Sequence, residues 1–551
     1  MERTRGTLRS GLSRLAFGSP LYSLTLGRTG PRDLALVPPD PWPGDADKGA
    51  SLVDGHYRFA GQSIQADNPL WLPLGVGDDF LAALHGFEWL RDLRALSGDA
   101  ARRQARFMVG NWIERHDRWH ELAWRPDVLG LRVANWLGAH DFFCASADDR
   151  FRLAMFASLA RQVKHLHRTL PGGLDGAPLM FALKGLIYGS LCLQEGTARL
   201  PAALKLLERE LPRQILPDGG HVQRNPALHL TLLRHLIDLR GVLRAAHAAG
   251  VEVEPPVALQ HAIDRMTPAL RFYRHGDGGV CLFNGADESE PVLIDAVLAQ
   301  ADARGRPLRS APHSGFERIT AGRTLIVMDA GEPPAPGLDQ GAHAGTLSFE
   351  LSVGRERLIV NCGARPGVGA GPDAAAWDMA LRGTPAHSTV TVGDANSSTL
   401  VEGGGLSRRP TSVVVDRQES EGAVLIEASH DGYVDRFGIT HHRRLYVSAN
   451  GEDVRGEDHL DGPAGHPFAA RFHLHPAAQV SAVQSGAAAL IRLGSGVGFR
   501  LRISGAEMSI EESVYCGERD ERRRTRQIAL YGTTGEGGAT VKWALKRERK
   551  A

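Results

Sequence analysis

GAHAGTLSFELSVGRERLIVNCG, residues 341–363, decides the fold of this chain, and TPAHSTVTVGD, residues 384–394, repeats its character. In both segments apolar and polar residues alternate, which is the two-residue period of a β-strand. Each segment carries one histidine, His343 or His387, and Asn361 ends the β-branched run between them. A β-sandwich core does not require these polar groups. The pattern therefore indicates three metal ligands or proton carriers that converge from neighbouring strands.

The same two-residue period runs through the chain after about residue 275. Turns rich in Gly, Asp and Asn separate the candidate strands, and no long helical pattern lies between them. Many strands without intervening helices favour an antiparallel β-sandwich over a parallel sheet. The candidate strands are TLIVMDA, LSFELSV, RLIVNC, STVTVGD, TSVVVDR, AVLIEASH, GITHHRRLYVS, ARFHLH, GFRLRIS and QIALYG.

Helical periodicity dominates the chain from Asp78 to about residue 275. Eight amphipathic helices of similar length follow one another with short Gly, Pro and Asp breaks between them. In the seventh, Asn225 is placed to cap the helix, Pro226 takes the first helical position and Gly250 can end it. Such a series fits a bundle, a solenoid or an incomplete α/α toroid, and no fixed-period repeat supports the solenoid.

The length of 551 residues is too great for one hydrophobic core. Residues 30–75 are rich in Pro, Gly and Trp, which predicts an irregular lead-in. We therefore predict a multidomain α+β protein with an N-terminal lead-in, a helical domain and an antiparallel β-sandwich. The predicted domains are residues 1–75, 76–300 and 301–551.

The overall charge is balanced and gives no global bias toward polyanions, while a basic local cleft stays open. With 64 Lys and Arg against 63 Asp and Glu, nothing favours nucleic acid or an anionic membrane as a partner. No segment approaches the roughly 20 apolar residues that span a bilayer. The uncharged stretch from Leu15 to Gly27 is broken by Gly18, Ser19 and Pro20 and makes a poor secretion signal. A cytoplasmic location is the prediction, with the periplasm as the alternative.

The five cysteines are odd in number, scattered and free of any CxxC pair, so neither a disulfide framework nor a zinc knuckle is indicated. Four tryptophans stand close together with Arg125, Arg132 and Asn135. Tryptophan faces and arginine forks suit an acidic sugar, but large aromatic residues also dominate helical cores, and the core interpretation is favoured. These tryptophans are Trp112, Trp119, Trp124 and Trp136.

LPDGGHVQRNPALH, residues 216–229, forms a second polar cluster in the helical half. His221 and His229 flank the turn into the seventh helix, where N–H groups and the helix dipole favour a bound anion. Exposed or capping histidines are the equally weighted alternative, and Asn225 is favoured as a helix cap. For the strand histidines, a metal site and a buried polar cluster are also evenly balanced, because Asn361 is a neutral third ligand where zinc prefers His, Cys or carboxylate.

These segments resemble a known family. HAGTLSFELSVGRERLIVNCG with AHSTVTV resembles the heparinase II/III-like β-sandwich, and LPDGGHVQRNPALH resembles a helix-start signature of that family's α/α toroid. WRPDVLGLRVANW is similar to its N-terminal helical domain, so the resemblance covers roughly residues 60–500. It implies an incomplete α/α toroid followed by an antiparallel β-sandwich. It also implies a structural divalent metal, zinc above all, held by His343, Asn361 and His387, with Asn361 where an Asp is expected.

The departures from the family pattern concern catalytic positions. Gly341 stands where the first histidine of the HxHAD pattern is expected, and Leu228 stands where a tyrosine precedes the helix histidine. Ala177 and Pro178 replace an Asn-His pair. The groups that remain nearest to the expected chemistry are His229, His221 and Arg224.

The resemblance implies a polysaccharide or oligosaccharide lyase that cleaves an acidic, uronate-containing glycan by β-elimination. His229 is then the base or acid, His221 assists, and Asn225 or Arg224 contacts the uronate carboxylate. The alternative is a catalytically degenerate glycan-binding or envelope-associated protein of the same fold, and a homo-oligomer stays open. Glycoside hydrolysis would need two carboxylates roughly 5–10 Å apart. The candidates are Asp78, Asp79 and Asp175, which form no recognisable pair.

Overall fold

The chain forms two compact units in the computed structural model. The first unit comprises residues 1–214 and 232–263, and the second comprises residues 215–231 and 264–551. The division places the polar cluster at residues 216–229 in the same unit as the strands, whereas the predicted boundaries at 75 and 300 stay a prediction. The structure describes residues 16–27, 29–66, 71–194, 196–363, 372–518 and 521–548, so the predicted lead-in lies partly outside the described residues.

The first unit is built from helices, as the 3.6-residue periodicity predicts. Two predicted helices are each broken into a pair, the first at Phe87, whose backbone is left-handed with φ of 59°. Among the described residues, no helix is long and apolar enough to cross a bilayer. The helices that lie wholly in this unit are Pro20–Thr25, Ala46–Val53, Asp78–Gly86, Leu90–Leu96, Gly98–Arg115, Pro126–Gly138, His140–Phe143, Asp149–Thr169, Gly176–Cys192 and Leu200–Gln214, with a 3-10 turn at Thr197–Arg199.

The tryptophan-rich segment packs into the core of the first unit. Trp112, Trp124 and Trp136 are at most 1% exposed. The guanidinium carbon of Arg132 lies 4.0 Å from the centre of the Trp112 ring, and Arg132 itself is fully buried. Asn135 donates a hydrogen bond of 2.8 Å to the carbonyl of Gly86. The core interpretation is therefore confirmed for these five residues, which are covered by protein and are not free to hold a sugar. Trp119 and Arg125 are half-buried.

The second unit contains the strands, two further helices and the ends of two helices that it shares with the first unit. The shared helices are Pro226–Ala248 and Val257–Tyr273, and the further ones are Pro291–Ala301 and Pro372–Arg382, with one turn of helix at Val434–Phe437. As predicted, Asn225 caps the helix Pro226–Ala248, and Gly250 follows the end of that helix with φ of 87°.

The described residues form twenty-one strands, which are numbered in chain order. The first unit holds a small hairpin of β1 His56–Phe59 and β2 Gln62–Gln65. The others are β3 Ser310–Ala311, β4 Phe316–Ala321, β5 Thr324–Asp329, β6 Phe349–Val353, β7 Glu356–Val360, β8 Val390–Val392, β9 Thr399–Leu400, β10 Leu406–Arg408, β11 Val413–Ser420, β12 Ala423–Tyr433, β13 Ile439–Val447, β14 Asp453–Asp461, β15 Pro467–Leu474, β16 Gln479–Val483, β17 Ala488–Arg492, β18 Gly498–Ser504, β19 Glu507–Tyr515, β20 Arg523–Thr533 and β21 Ala539–Arg547.

Two large sheets dominate the second unit. The eight-stranded sheet has the order β11-β12-β13-β14-β21-β18-β17-β16. The nine-stranded sheet has the order β19-β20-β15-β7-β6-β5-β4-β3, with β8 paired to β15. The strand pairs within both sheets are antiparallel, which confirms the predicted fold class.

The two sheets pack face to face through aromatic side chains. Phe349 of β6 stacks on Trp543 of β21, with ring centres 5.7 Å apart and planes within 5°. Phe472 of β15 meets the same indole edge-on at 5.1 Å. Gly456 of β14 makes room for this indole, since a Cβ there would lie 2.1 Å from ring atoms of Trp543. This contact places the core of the sandwich between inward-facing residues of both sheets.

Candidate functional site

The seven predicted site residues all lie in the second unit. Four belong to the turn and first helical residues that begin Pro226–Ala248, and three belong to the loops and strand ends of the nine-stranded sheet. The first group is His221, Arg224, Asn225 and His229, and the second is His343, Asn361 and His387.

Asn225 links the helix start to the loop that carries the first strand histidine. Its side-chain oxygen accepts the N–H of Leu228 at 2.8 Å, and its amide nitrogen donates to the carbonyl of Asn284 at 2.7 Å. The side chain of Asn284 continues the link, because its nitrogen donates to the Arg224 carbonyl at 3.1 Å and its oxygen accepts the backbone N–H of His343 at 3.1 Å. The two predicted groups are thus tied together through one asparagine.

Gly285 leaves a small space that both groups face. A Cβ at this position would lie 3.4 Å from Nε2 of His343 and 3.8 Å from the amide nitrogen of Asn225. The backbone of Gly285 is left-handed with φ of 78°, which favours glycine. An amide and an imidazole therefore converge on one point, and we refer to Asn225, Asn284, His343 and His387 as the amide–imidazole cluster.

The two strand histidines are hydrogen-bonded to each other. Nδ1 of His343 lies 3.0 Å from Nε2 of His387, and Nδ1 of His387 lies 2.8 Å from the carbonyl of Gly383. Because a carbonyl only accepts, a neutral His387 carries its proton on Nδ1 and accepts at Nε2 from His343. His343 then has its unprotonated Nε2 on the side of Gly285.

Burial keeps both of these rings neutral. His343 is 7% exposed and His387 is 2% exposed. Burial lowers the pKa of His387 to about 4, and burial together with the neighbouring His387 and Arg382 holds the pKa of His343 well below its usual value. Two neutral rings can share one hydrogen bond without charge repulsion.

Asn361 is fully engaged in backbone hydrogen bonds. Its side-chain oxygen accepts the N–H of Ser388 at 3.0 Å, and its amide nitrogen lies 3.4 Å from both the Leu282 carbonyl and a Glu350 carboxylate oxygen. Within the described part of the chain, no group of three or more His, Cys, Asp or Glu is placed to hold a metal. Two imidazoles that contact each other and one committed amide do not fit a tetrahedral zinc site. The zinc site stays a prediction.

His229 and His221 are enclosed by protein. Each is 1% exposed. Nε2 of His229 lies 2.9 Å from the carbonyl of Met266, and its ring meets Tyr273 edge-on at 5.6 Å. Burial lowers the pKa of His229 to about 4 and that of His221 to about 3, with the adjacent His229 adding to the latter. Both rings are neutral and shielded from solvent in this geometry, and their predicted catalytic roles stay predictions.

Arg224 uses all five of its side-chain N–H donors within the unit. Four backbone carbonyls and one carboxylate accept them, and the guanidinium carbon lies 4.7 Å from the centre of the Phe316 ring. The carboxylate that it binds is that of Asp329, so contact with a substrate carboxylate, which stays a prediction, would require these bonds to open. The acceptors are the carbonyls of Ser314, Gly315, Gly331 and Glu332 and a carboxylate oxygen of Asp329.

The carboxylates considered for glycoside hydrolysis all lie at the starts of helices in the first unit. Asp78 and Asp79 lie in the first turn of the helix Asp78–Gly86. Asp175 accepts the backbone N–H of Gly176 at 2.8 Å at the start of the helix Gly176–Cys192. These positions are typical of helix starts, where negative side chains are stabilised.

Replacement of Arg224 by lysine tests whether this residue is a structural clamp. Lysine has three donors and no planar fork, so several buried acceptors lose their partner, and Arg224→Lys should lower the free energy of unfolding by about 3 kcal/mol. Urea denaturation followed by circular dichroism measures this. Arg309→Lys is the control, because Arg309 is exposed and paired only with Glu419 and should change stability by less than about 1 kcal/mol. Equal effects of the two substitutions would contradict the clamp.

Asn361→Asp tests the metal prediction by restoring a charged ligand. A carboxylate can bind zinc together with the two imidazoles, so the variant should hold more zinc than the unchanged protein after equilibration and dialysis. Mass-spectrometric metal analysis gives the zinc content, and Asn361→Asp combined with His387→Ala should lose the gain. One zinc per unchanged chain, lost in His343→Ala and His387→Ala, would instead establish the predicted zinc site.

Comparison with known proteins agrees with the geometry. The profile "Heparinase II/III N-terminus" matches residues 99–301, and "Heparinase II/III-like, C-terminal" matches residues 303–544. FtsZ-localized protein C of Caulobacter vibrioides is 32% identical over 96% of this chain and 93% of its own length.

Solved structures share the fold at low sequence identity. A crystal structure of heparinase III superimposes with a TM-score of 0.73 at 14% identity, covering 92% of this chain and 85% of the other. Heparan sulfate lyase from Pedobacter heparinus gives a TM-score of 0.60 at 14% identity, with coverage of 92% and 83%. The chain belongs to the heparinase II/III-like family.

Proposed function

We propose that this chain is a catalytically degenerate member of its family that binds an acidic glycan without cleaving it. The enclosure of His229 carries this proposal. Its ring is 1% exposed, and its Nε2 is held by the Met266 carbonyl. A base for β-elimination must come within hydrogen-bond reach of the proton that it removes from the sugar.

The other groups of an elimination site are also occupied or missing. The chemistry needs a donor that neutralises the uronate carboxylate and an acid for the leaving oxygen. Arg224 already spends its donors on Asp329 and on backbone carbonyls. Gly341 and Leu228, at two positions where the family pattern expects a catalytic side chain, have no group that transfers a proton.

The amide–imidazole cluster supports binding. The amide nitrogen of Asn225 and Nε2 of His343 face the same space at Gly285. There the amide could donate to a carboxylate or hydroxyl oxygen of a sugar, and Nε2 could accept from a sugar hydroxyl. Asn225 also stands at the start of a helix of 23 residues, whose N-terminus favours an anion. A neutral pair of donors and acceptors at a helix start suits an acidic sugar that is held but not cleaved.

Two measurements on the same samples test this proposal. Incubation with uronate polymers should give no increase in the absorbance of unsaturated uronate, whereas calorimetry with a uronate oligosaccharide should detect binding. His343→Gln should weaken binding about tenfold, because the flexible glutamine amide does not hold an acceptor at the position of Nε2. His313→Gln replaces an exposed histidine and serves as the matched control.

The lyase remains the rival proposal, with His229 as base or acid. Unsaturated product from the unchanged protein, and none from His229→Ala, would support the lyase and overturn the proposal of binding without cleavage. Absence of both product and binding would contradict both.

A second proposal concerns location. The relative that is 32% identical over 96% of this chain carries the name FtsZ-localized protein C. On this likeness we also propose that the chain localises with FtsZ and is associated with the cell envelope. The predicted cytoplasmic location stays a prediction.

A fluorescent fusion of the chain, produced in Caulobacter vibrioides together with labelled FtsZ, tests the second proposal. The two signals should coincide along the cell. The His343→Gln fusion should keep this pattern if localisation is independent of glycan binding, which separates the two proposals. A diffuse signal from the unchanged fusion, with FtsZ assembled normally, would contradict localisation.

A further inference from the structure

The outer face of the eight-stranded sheet carries a continuous row of side chains across five strands. The register pairs Leu425 with Tyr446, Tyr446 with Arg455, Arg455 with Ala544, and Ala544 with Arg502. A shallow, open space of about 410 Å³ lies over this row. We call these five residues and the space above them the outer groove. None of them belongs to the amide–imidazole cluster.

The outer groove carries a small excess of positive charge. Its lining includes four cationic side chains and one acidic side chain, Glu457. Lys542 lies 3.0 Å and Arg444 lies 3.6 Å from the Glu457 carboxylate, Arg444 also pairs with Glu427, and Arg455 is paired with Asp453 at 2.7 Å. Arg502 is exposed and has no ion-pair partner among the described residues. The guanidinium of Arg502 can therefore form two parallel hydrogen bonds with an anion.

The shape of the row limits what can lie in it. Ala544 is small and stands between Arg455 and Arg502, so the two arginines are two strand spacings apart, about 10 Å. Tyr446 adjoins Arg455, whose guanidinium carbon lies 5.8 Å from the centre of the tyrosine ring. Along the row, the groove thus presents the ring of Tyr446, the guanidinium of Arg455, the small side chain of Ala544 and the guanidinium of Arg502, in that order.

We propose that the outer groove binds an acidic oligosaccharide whose carboxylates recur on alternate sugars. One carboxylate meets Nη1 of Arg455, since Asp453 takes the Nε and Nη2 donors of that side chain. The next carboxylate meets Arg502, and the intervening sugar lies over Ala544, while Tyr446 contacts the apolar face of a further ring. The inference takes its ligand class from the proposed function. It assigns a second site, separate from the amide–imidazole cluster.

Other anionic partners fit the groove less well. An acidic peptide that adds a strand would pair with a sheet edge, whereas β13, β14, β21 and β18 are all paired on both sides. A membrane surface favours protruding cations beside apolar side chains that enter the lipid, whereas three of the four cations here are paired with carboxylates. Two arginines spaced along one row favour a glycan chain.

Fluorescence anisotropy with a labelled hyaluronan oligosaccharide, which alternates uronate with a neutral amino sugar, tests the site. Arg502→Gln should weaken binding about tenfold, as loss of a charge-assisted hydrogen-bonding pair predicts. Tyr446→Ala should also weaken it. Arg500→Gln is the matched control, because Arg500 lies two residues away on the same strand and already pairs with Glu548 at 2.7 Å, and it should leave binding nearly unchanged.

The outcomes separate this inference from the proposed function. Binding that Arg502→Gln weakens and His343→Gln leaves intact supports the outer groove and counts against the amide–imidazole cluster. Binding that only His343→Gln weakens overturns the outer groove alone. Equal losses in Arg502→Gln and Arg500→Gln, equal binding of a chitin oligosaccharide, or tighter binding of polyglutamate or of anionic phospholipid vesicles would each overturn it. No binding of hyaluronan by the unchanged protein overturns it as well, while binding of another uronate oligosaccharide would leave the proposed function standing.

Discussion

The candidate site depends on the five hydrogen bonds that the side chain of Arg224 donates. They join the turn before the helix Pro226–Ala248 to the carbonyls around Ser314 and Gly331 and to the carboxylate of Asp329. Arg224 itself is left-handed, with φ of 54°, a conformation that costs a non-glycine residue about 1–3 kcal/mol. Five satisfied donors offset that cost and fix the direction in which the next residue, Asn225, presents its amide. The position of the whole cluster follows from a side chain that touches no ligand.

The strand histidines form a neutral pair beside an amide, where a carboxylate would favour a cation. An aspartate at position 361 would repel other acceptors and attract a cation, whereas the amide of Asn361 is satisfied by the Ser388 N–H and its neighbours. The two imidazoles are hydrogen-bonded to each other, with 3.0 Å between Nδ1 of His343 and Nε2 of His387. Because burial lowers the pKa of both rings, their contact persists as a neutral pair at physiological pH.

Much of the fold follows from sequence periodicity. All ten candidate strands and six of the eight predicted helices are present, and each of the other two helices is present as a pair. Most of their apolar residues are buried and composition reports burial directly, although strands such as β6 and β8 are buried on both faces. Strands such as β14, β19 and β21 were not predicted. Their outward positions are charged and their inward positions include Gly456, so that their composition is typical of polar loops. They form strands because the neighbouring strands supply the apolar contacts that their own sequences lack.

The site was predictable only in part. The sequence patterns single out His343, His387 and Asn225, and the structure brings them together. Asn284 and Gly285 were missed, although an Asn-Gly pair after an apolar run is a turn signal. The burial of His229 could not be predicted either, because it depends on Met266 and Tyr273, which lie about 40 residues further along the chain.

The alternation of strands β14 and β21 has a consequence for how this protein can diverge from its relatives. Trp543 and Val454 point into the sandwich, while Ala544 and Arg455 point outward. Neighbouring residues are therefore constrained by different contacts, the inward ones by core packing and the outward ones by the surface. A bulky residue in place of Ala544 would therefore reshape this surface without disturbing the interior of the sandwich.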